Sequence, residues 1–416
     1  MITKRNTILI FVIFSFLFYI DKIIFGPFSF IKIQDTFDSE FSKCFNTGKL
    51  FFEYGFFAWY PNYPGGIPAY ASHVPPFHLS CLLLMIFPAW VLYNSLVIIF
   101  MIFAGYGMYR FLCEYMKLSY WISLAGGIFF SLSTQIQLEP EIYIVFSHVF
   151  PLFFVWFIDI VQPNNLQKKI IFPIIGLNFV FLISYPVLSF PHFLILQILL
   201  VLLMKYSHKE ITKKLLKWSV IIWTGYVLIC IPSLYSLWEF VPFVSRTYSL
   251  YPINFSSFTN FIKVTIYNIF ILISARSMVF VLIIAGFSLI PYSKKVKRAF
   301  LIMIILLILS GFFDSTLSGV LANTIFEKMD LRHFYWTLPF IFIVFVFTTL
   351  DELFSNGKLA VRYFFSSIIG LVFLFLLLYP LKKLSISIFL LNFIPFLITC
   401  CVYNYKKYAR FISLIN

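Results

Sequence analysis

Apolar runs of about twenty residues, parted by short polar or basic stretches, recur along the whole chain. Segments 91–109, 218–237 and 363–380 contain no charged residue, and each approaches the length of about 20 residues that a helix needs to cross a hydrocarbon core of about 30 Å. Setting the apolar runs against the charge clusters predicts twelve helices, near 6–26, 79–112, 118–135, 142–161, 170–186, 187–205, 218–238, 269–292, 299–314, 334–351, 363–380 and 384–404. The second run is long and Pro88 divides it. Residues 79–88 therefore read either as part of one span or as a re-entrant or interfacial piece.

Composition agrees with the pattern. Of 416 residues, 61% are hydrophobic and 11% charged, against roughly 25% charge in soluble domains. The expected fold class is an all-α polytopic membrane protein, one integral domain over 1–416 with about twelve transmembrane helices. The 57 Phe and 25 Tyr suit gap-filling between helices in lipid, with Tyr and Trp at the two interfaces. A net charge of +15 does not indicate nucleic acid as a partner, because the basic residues lie between apolar runs instead of on one soluble face.

Those basic residues orient the chain. With the N-terminus inside, 20 of the 31 basic residues fall in inner segments and 11 in outer ones, whereas 5 of the 16 acids fall inside and 11 outside. The basic count sets topology, so both termini are expected in the cytoplasm, most naturally at a bacterial plasma membrane. The run at 6–26 follows Lys4 and Arg5 without a small-residue cleavage site after it and is read as an uncleaved first helix. The longer connections and most acids then gather on the outer face, above all the segment 27–78 between the first two helices and a second outer loop at 239–267.

Three acids stand close together early in the first loop: Asp35, Asp38 and Glu40. Carboxylates so near lipid are costly unless used. Asp35 and Asp38 share a face on a helical turn, so one can accept a proton from a hydroxyl while the other orients it or holds a metal. The competing reading is the capped first turn of an interfacial helix, which accounts for one acid and not three. Downstream, Trp59, Tyr60 and Tyr63 precede a run rich in Pro and Gly that holds His73 and His78. The aromatics suit either stacking on a sugar or an interfacial belt, and the two histidines share no helical face. A second acidic pair, Glu139 and Glu141 around Pro140, follows the third helix, with an ordinary capping turn as its alternative. Arg332 and His333 stand at the outer mouth of the tenth helix, where a guanidinium offers paired donors to a phosphate or snorkels to the interface.

Six cysteines are scattered without metal-ligand spacing, and a Cys44–Cys81 disulfide is the less expected outcome. No phosphate-binding Gly-rich loop, His-Glu-x-x-His or Gly-x-Ser-x-Gly string occurs, which argues against ATP-driven transport by this chain alone.

The strings Gly26 to Glu40, Trp59 to Phe77, Ala104 to Phe111 and Leu331 to Trp336 resemble the GT-C superfamily of membrane glycosyltransferases, and among them YfhO-like bacterial membrane proteins. The resemblance is best over the first third of the chain. It implies a GT-C-like long first outer loop and an inverting transfer of sugar from a polyprenyl-phosphate donor to a glycan or lipid acceptor. On that likeness Asp35 is the candidate base, with Asp38 beside it. Glu40, Glu139, Glu141, Trp59, Tyr60 and His73 are expected to bind substrate, and Arg332 with His333 to hold the donor phosphate. The second acidic pair reads Glu-Pro-Glu where the family pattern contains Asp, so a divalent cation is an open cofactor. The alternative from another class is a multi-pass transporter or flippase for lipid-linked glycans.

Overall fold

A computed structural model describes residues 4–29, 42–55, 59–60, 67–68, 79–137, single residues and short pieces between 151 and 159 and between 213 and 235, and then 277–315, 338–356 and 359–378. These residues are predominantly helical. In chain order the helices are α1 (Lys4–Phe18), α2 (Ile20–Phe25), α3 (Ser42–Tyr54), α4 (Leu79–Leu83), α5 (Ala89–Arg110), α6 (Tyr120–Gln137), α7 (Ser277–Phe287), α8 (Lys294–Ser315), α9 (Leu338–Ser355) and α10 (Ala360–Leu378). The extended exception is a two-residue antiparallel pairing of β1 (Trp59–Tyr60) with β2 (Ile67–Pro68), in which Trp59 faces Pro68 and Tyr60 faces Ile67.

The helical character anticipated from the apolar runs is present, with two refinements at the level of single helices. The run at 6–26 is not one straight helix: α1 and the stretch from Ile20 to Phe28 are bent by 56°. The chain leaves helical geometry at Tyr19 (φ −99°, ψ 14°), a buried residue with no Pro or Gly beside it to announce the break. Gly26, at φ 51°, then ends α2 in a left-handed conformation open to glycine. The run at 79–112 is divided at Pro88 into α4 and α5, and α5 continues through a π-helical turn over Phe111–Tyr115. Among the described residues, Ala89–Tyr115 is the one helix long and apolar enough by itself to cross a membrane, and the bent pair passes the same criterion only when its two parts are taken together. Predicted helices 170–186, 187–205 and 384–404 lie outside the described residues, and 142–161 and 218–238 are described only at scattered helical positions.

The chain divides into two compact units. The first comprises 1–111, 127–251 and 321–331, the second 112–126, 252–320 and 332–416. In the first, α1 packs on α5 through Phe11, which is 1% exposed and meets Tyr106 edge-on at 6.5 Å and Tyr109 at 6.3 Å. Backbones approach closely there: a Cβ on Gly127 would lie 2.5 Å from the Gly105 carbonyl oxygen and 2.8 Å from the Phe11 ring. Ser131 Oγ ties the same pair of backbones by donating to the Met101 carbonyl at 3.0 Å. In the second unit, α9 is flanked by α8 and α7, and α10 packs most extensively on α7. Every residue of α9 from Phe340 to Leu350 is buried, as expected of a helix apolar all round.

Two helices wear their polarity inside out. The inward positions of α1 are Thr7, Phe11 and Ser15, followed by buried Tyr19 just past its end, whereas Ile8, Leu9, Ile13, Phe16 and Leu17 face outward. On α10, Ala360, Tyr363, Ser367 and Gly370 are buried while Val361, Phe365, Ile368, Ile369 and Val372 are exposed. The packed faces therefore combine small or hydroxylated residues with one large ring each, Phe11 and Tyr363, while the free faces carry mostly large aliphatic or aromatic side chains, the reverse of an amphipathic helix at a water-exposed surface. Helix packing in lipid has this arrangement, since small residues let backbones approach and nothing is gained by hiding Leu or Phe from hydrocarbon.

Candidate functional site

The acids singled out in the sequence, Asp35, Asp38, Glu40, Glu139 and Glu141, lie outside the described residues, as do His73, Arg332 and His333. Trp59 and Tyr60 are described in their backbone alone. They form β1, which pairs antiparallel with β2 at Ile67–Pro68. The hairpin follows α3, whose outer face carries the exposed i,i+4 pair Lys49 and Glu53 at 3.7 Å.

The structure adds a charged site that the sequence reading counted only as inner charge. Arg110, the last residue of α5, meets Asp159 through both arms of its guanidinium: Nη1 donates to Oδ2 at 2.8 Å and Nη2 to Oδ1 at 3.1 Å. The arginine side chain is 10% exposed and the aspartate 28%. Paired donors matched to both carboxylate oxygens make this the strong, orientation-specific form of ion pair. The Tyr106 ring lies one turn back on α5, with its centroid 6.0 Å from the guanidinium carbon, and it stacks on Tyr109 at 6.4 Å.

Local sequence explains how the pair forms. Gly107 places α5 directly against the backbone of Leu152, and any larger side chain there would hold the helix bearing Asp159 away. Immediately after Arg110 the helix widens into the π-helical turn Phe111–Tyr115, a rare feature that concentrates at functional positions. The pair neutralises two charges and fixes two helices, and it offers no acid or base free for chemistry. A sequence signal for it existed: Arg110 is the one charge in α5, and Asp159 is a lone acid near the end of the run 142–161.

A separate polar cluster belongs to the second unit. Asp351 Oδ1 accepts from the Ser119 backbone N–H at 2.9 Å, just ahead of α6, where a carboxylate also complements the positive end of the helix dipole. Lys295 Nζ donates to the Lys117 carbonyl at 3.5 Å. Arg362 sits over the Tyr292 ring at 4.3 Å and donates to its hydroxyl. Among the described residues, no three His, Cys, Asp or Glu side chains converge as metal ligands. Comparison of the chain with protein-family models, with curated proteins and with solved structures finds no match.

Proposed function

We propose that the chain is a polytopic membrane protein of about twelve helices with a GT-C-like long first outer loop, and that it transfers a sugar from a polyprenyl-phosphate donor to a glycan or lipid acceptor at the outer face of a bacterial plasma membrane. The inside-out polarity of α1 and α10 supports residence in lipid. The polar ties support the topology. Arg110 and Asp159 stand at the ends of the second and fourth predicted spans, Ser119 and Asp351 at the start of the third and the end of the tenth, and Tyr292 and Arg362 at the end of the eighth and the start of the eleventh. The charge rule assigns every one of these ends to the cytoplasm. Had an odd number of spans been miscounted between any two partners, they would have fallen on opposite faces.

The observation that carries the catalytic reading is the folding of the segment between the first two spans. It holds the thirteen-residue helix α3 and the Trp59–Pro68 hairpin, which is more than a connection requires and suits a substrate-handling loop. In this reading Asp35 removes the proton from an acceptor hydroxyl as it attacks the sugar carbon, Asp38 orients it, and the lipid phosphate leaves toward Arg332 and His333. Glu40, Glu139 and Glu141 hold substrate or a divalent cation, and Trp59, Tyr60 and His73 receive the sugar.

Asp35→Asn tests the role of the base, because the amide keeps size and hydrogen-bonding reach but accepts no proton. Transfer from a lipid-linked donor is expected to fall about 100-fold or more, with stability in detergent changed by a few tenths of a kcal/mol at most, since Asn also caps helices well. Full transfer activity in Asp35→Asn would remove this residue from the mechanism. A second reading, a transporter or flippase for lipid-linked glycans, draws on the 56° break in the first span, since broken helices belong to transport sites. Full activity in both Asp35→Asn and Asp38→Asn, with glycan movement across vesicles retained, would favour it.

A further inference from the structure

Cys81 is disulfide-bonded and fully buried, whereas Cys113 is a free thiol. Cys81 lies in α4, and α4 packs closely against α3. A Cβ on Gly48 would stand 2.5 Å from the Cys81 carbonyl oxygen and 3.2 Å from its carbonyl carbon. Gly48 and its neighbour Thr47 are both buried, so the contact is a packed one. On α3, Cys44 is four residues before Gly48, one turn along the same helical face and about 6 Å away. Cys44 therefore lies on the stretch of α3 that packs on α4, where the short Cα separation that a disulfide requires, about 4.4–6.8 Å, can be met. Cys230 falls inside the predicted span 218–238, and Cys400 and Cys401 inside the predicted span 384–404.

We infer that Cys44 is the partner of Cys81, and that this bond staples α3 to the outer end of the second span, closing a loop that contains the Trp59–Pro68 hairpin and His73. Forming it removes two protons and two electrons from the two thiols. The acceptor is the disulfide of an extracytoplasmic thiol oxidoreductase, which is reduced to its dithiol in the exchange. Such bonds persist in oxidising compartments, so the staple belongs on the face that the charge rule calls outer. To that extent the inference rests on the proposed topology, although the identity of the pair does not. Functionally, the staple makes the hairpin a fixed wall of the outer site and makes that wall sensitive to reductant.

The test begins with the native full-length chain, alkylated without reduction, digested with trypsin and chymotrypsin and mapped by mass spectrometry. The expected result is a peptide pair joining Cys44 to Cys81 that disappears on reduction. Any other partner for Cys81 overturns the inference. As a second measurement, Cys44→Ser should make Cys81 reactive to maleimide after denaturation without reductant, and Cys230→Ser should leave it blocked; the opposite pattern would overturn the pairing. Sidedness is read separately from Asn62→Cys with an impermeant maleimide on intact cells. Labelling only after permeabilisation, with the Cys44–Cys81 peptide present, would reject the topology and leave the pairing standing.

Discussion

At the scale of the residue, the Arg110–Asp159 pair shows how far single positions could be read in advance. The sequence shows two isolated opposite charges near the ends of apolar runs, but it does not show that Gly107 removes the side chain that would otherwise hold the two helices apart. Contact between residues 49 positions apart depends on packing, which periodicity alone does not encode. Because both groups are largely buried and bonded at two points, truncating one leaves the other charge without its partner. Arg110→Ala is expected to lower stability in detergent by roughly 3 kcal/mol, at the low end for buried pairs because Asp159 is partly exposed. The double variant Arg110→Met with Asp159→Leu should recover most of that loss, since replacing both partners by apolar groups removes the unpaired charge. Thermal or denaturant unfolding in detergent measures both, and equal losses in the single and double variants would mean that the pair itself is not the source.

At the scale of the element, helices within the apolar runs were legible, but α3 in the segment read as the first outer loop was not, and breaks were legible only where proline marks them. Pro88 announced the division between α4 and α5 because proline has no N–H and fixes its own backbone. Tyr19 gave no comparable sign: the side chain at the 56° break is buried, a tertiary setting that periodicity does not encode. The cysteines were legible only in part: a disulfide at Cys81 was the less expected outcome, yet Cys81 is disulfide-bonded and stands at the close backbone approach of Gly48. Inside-out polarity supplies an element-level prediction. Ile369 on α10 is 64% exposed, so at a water-facing surface Ile369→Asp would change stability by less than about 0.5 kcal/mol. Facing hydrocarbon, the same change should disfavour insertion by about 3 kcal/mol. Glycosylation-reporter insertion assays of α10 distinguish the two, and unchanged insertion would count against a lipid-facing α10.

At the scale of the whole molecule, the order of inner and outer segments came from charge counting alone, because lysines and arginines are retained on the cytoplasmic side during insertion irrespective of the fold. Which outer segments meet at one site is a long-range property that one sequence does not carry, and the acids expected to form it lie outside the described residues. Accessibility of Asn62→Cys to an impermeant reagent in intact cells, with fusion reporters at both termini reading out as cytoplasmic, is the outcome expected of the complete topology; a terminus on the outer side would require an odd number of spans. One further consequence follows from α9, buried on every side from Phe340 to Leu350. In the proposed membrane topology a helix enters the bilayer from the translocon and first meets lipid, whereas this one ends buried. Its flanking helices α7 and α8 precede it in the chain and α10 follows, so on that proposal α9 exchanges a lipid shell for a protein one after synthesis. Assembly of this unit is then a late repacking event, and chains stalled before α10 emerges should leave α9 open to lipid-soluble photolabels that the mature protein excludes.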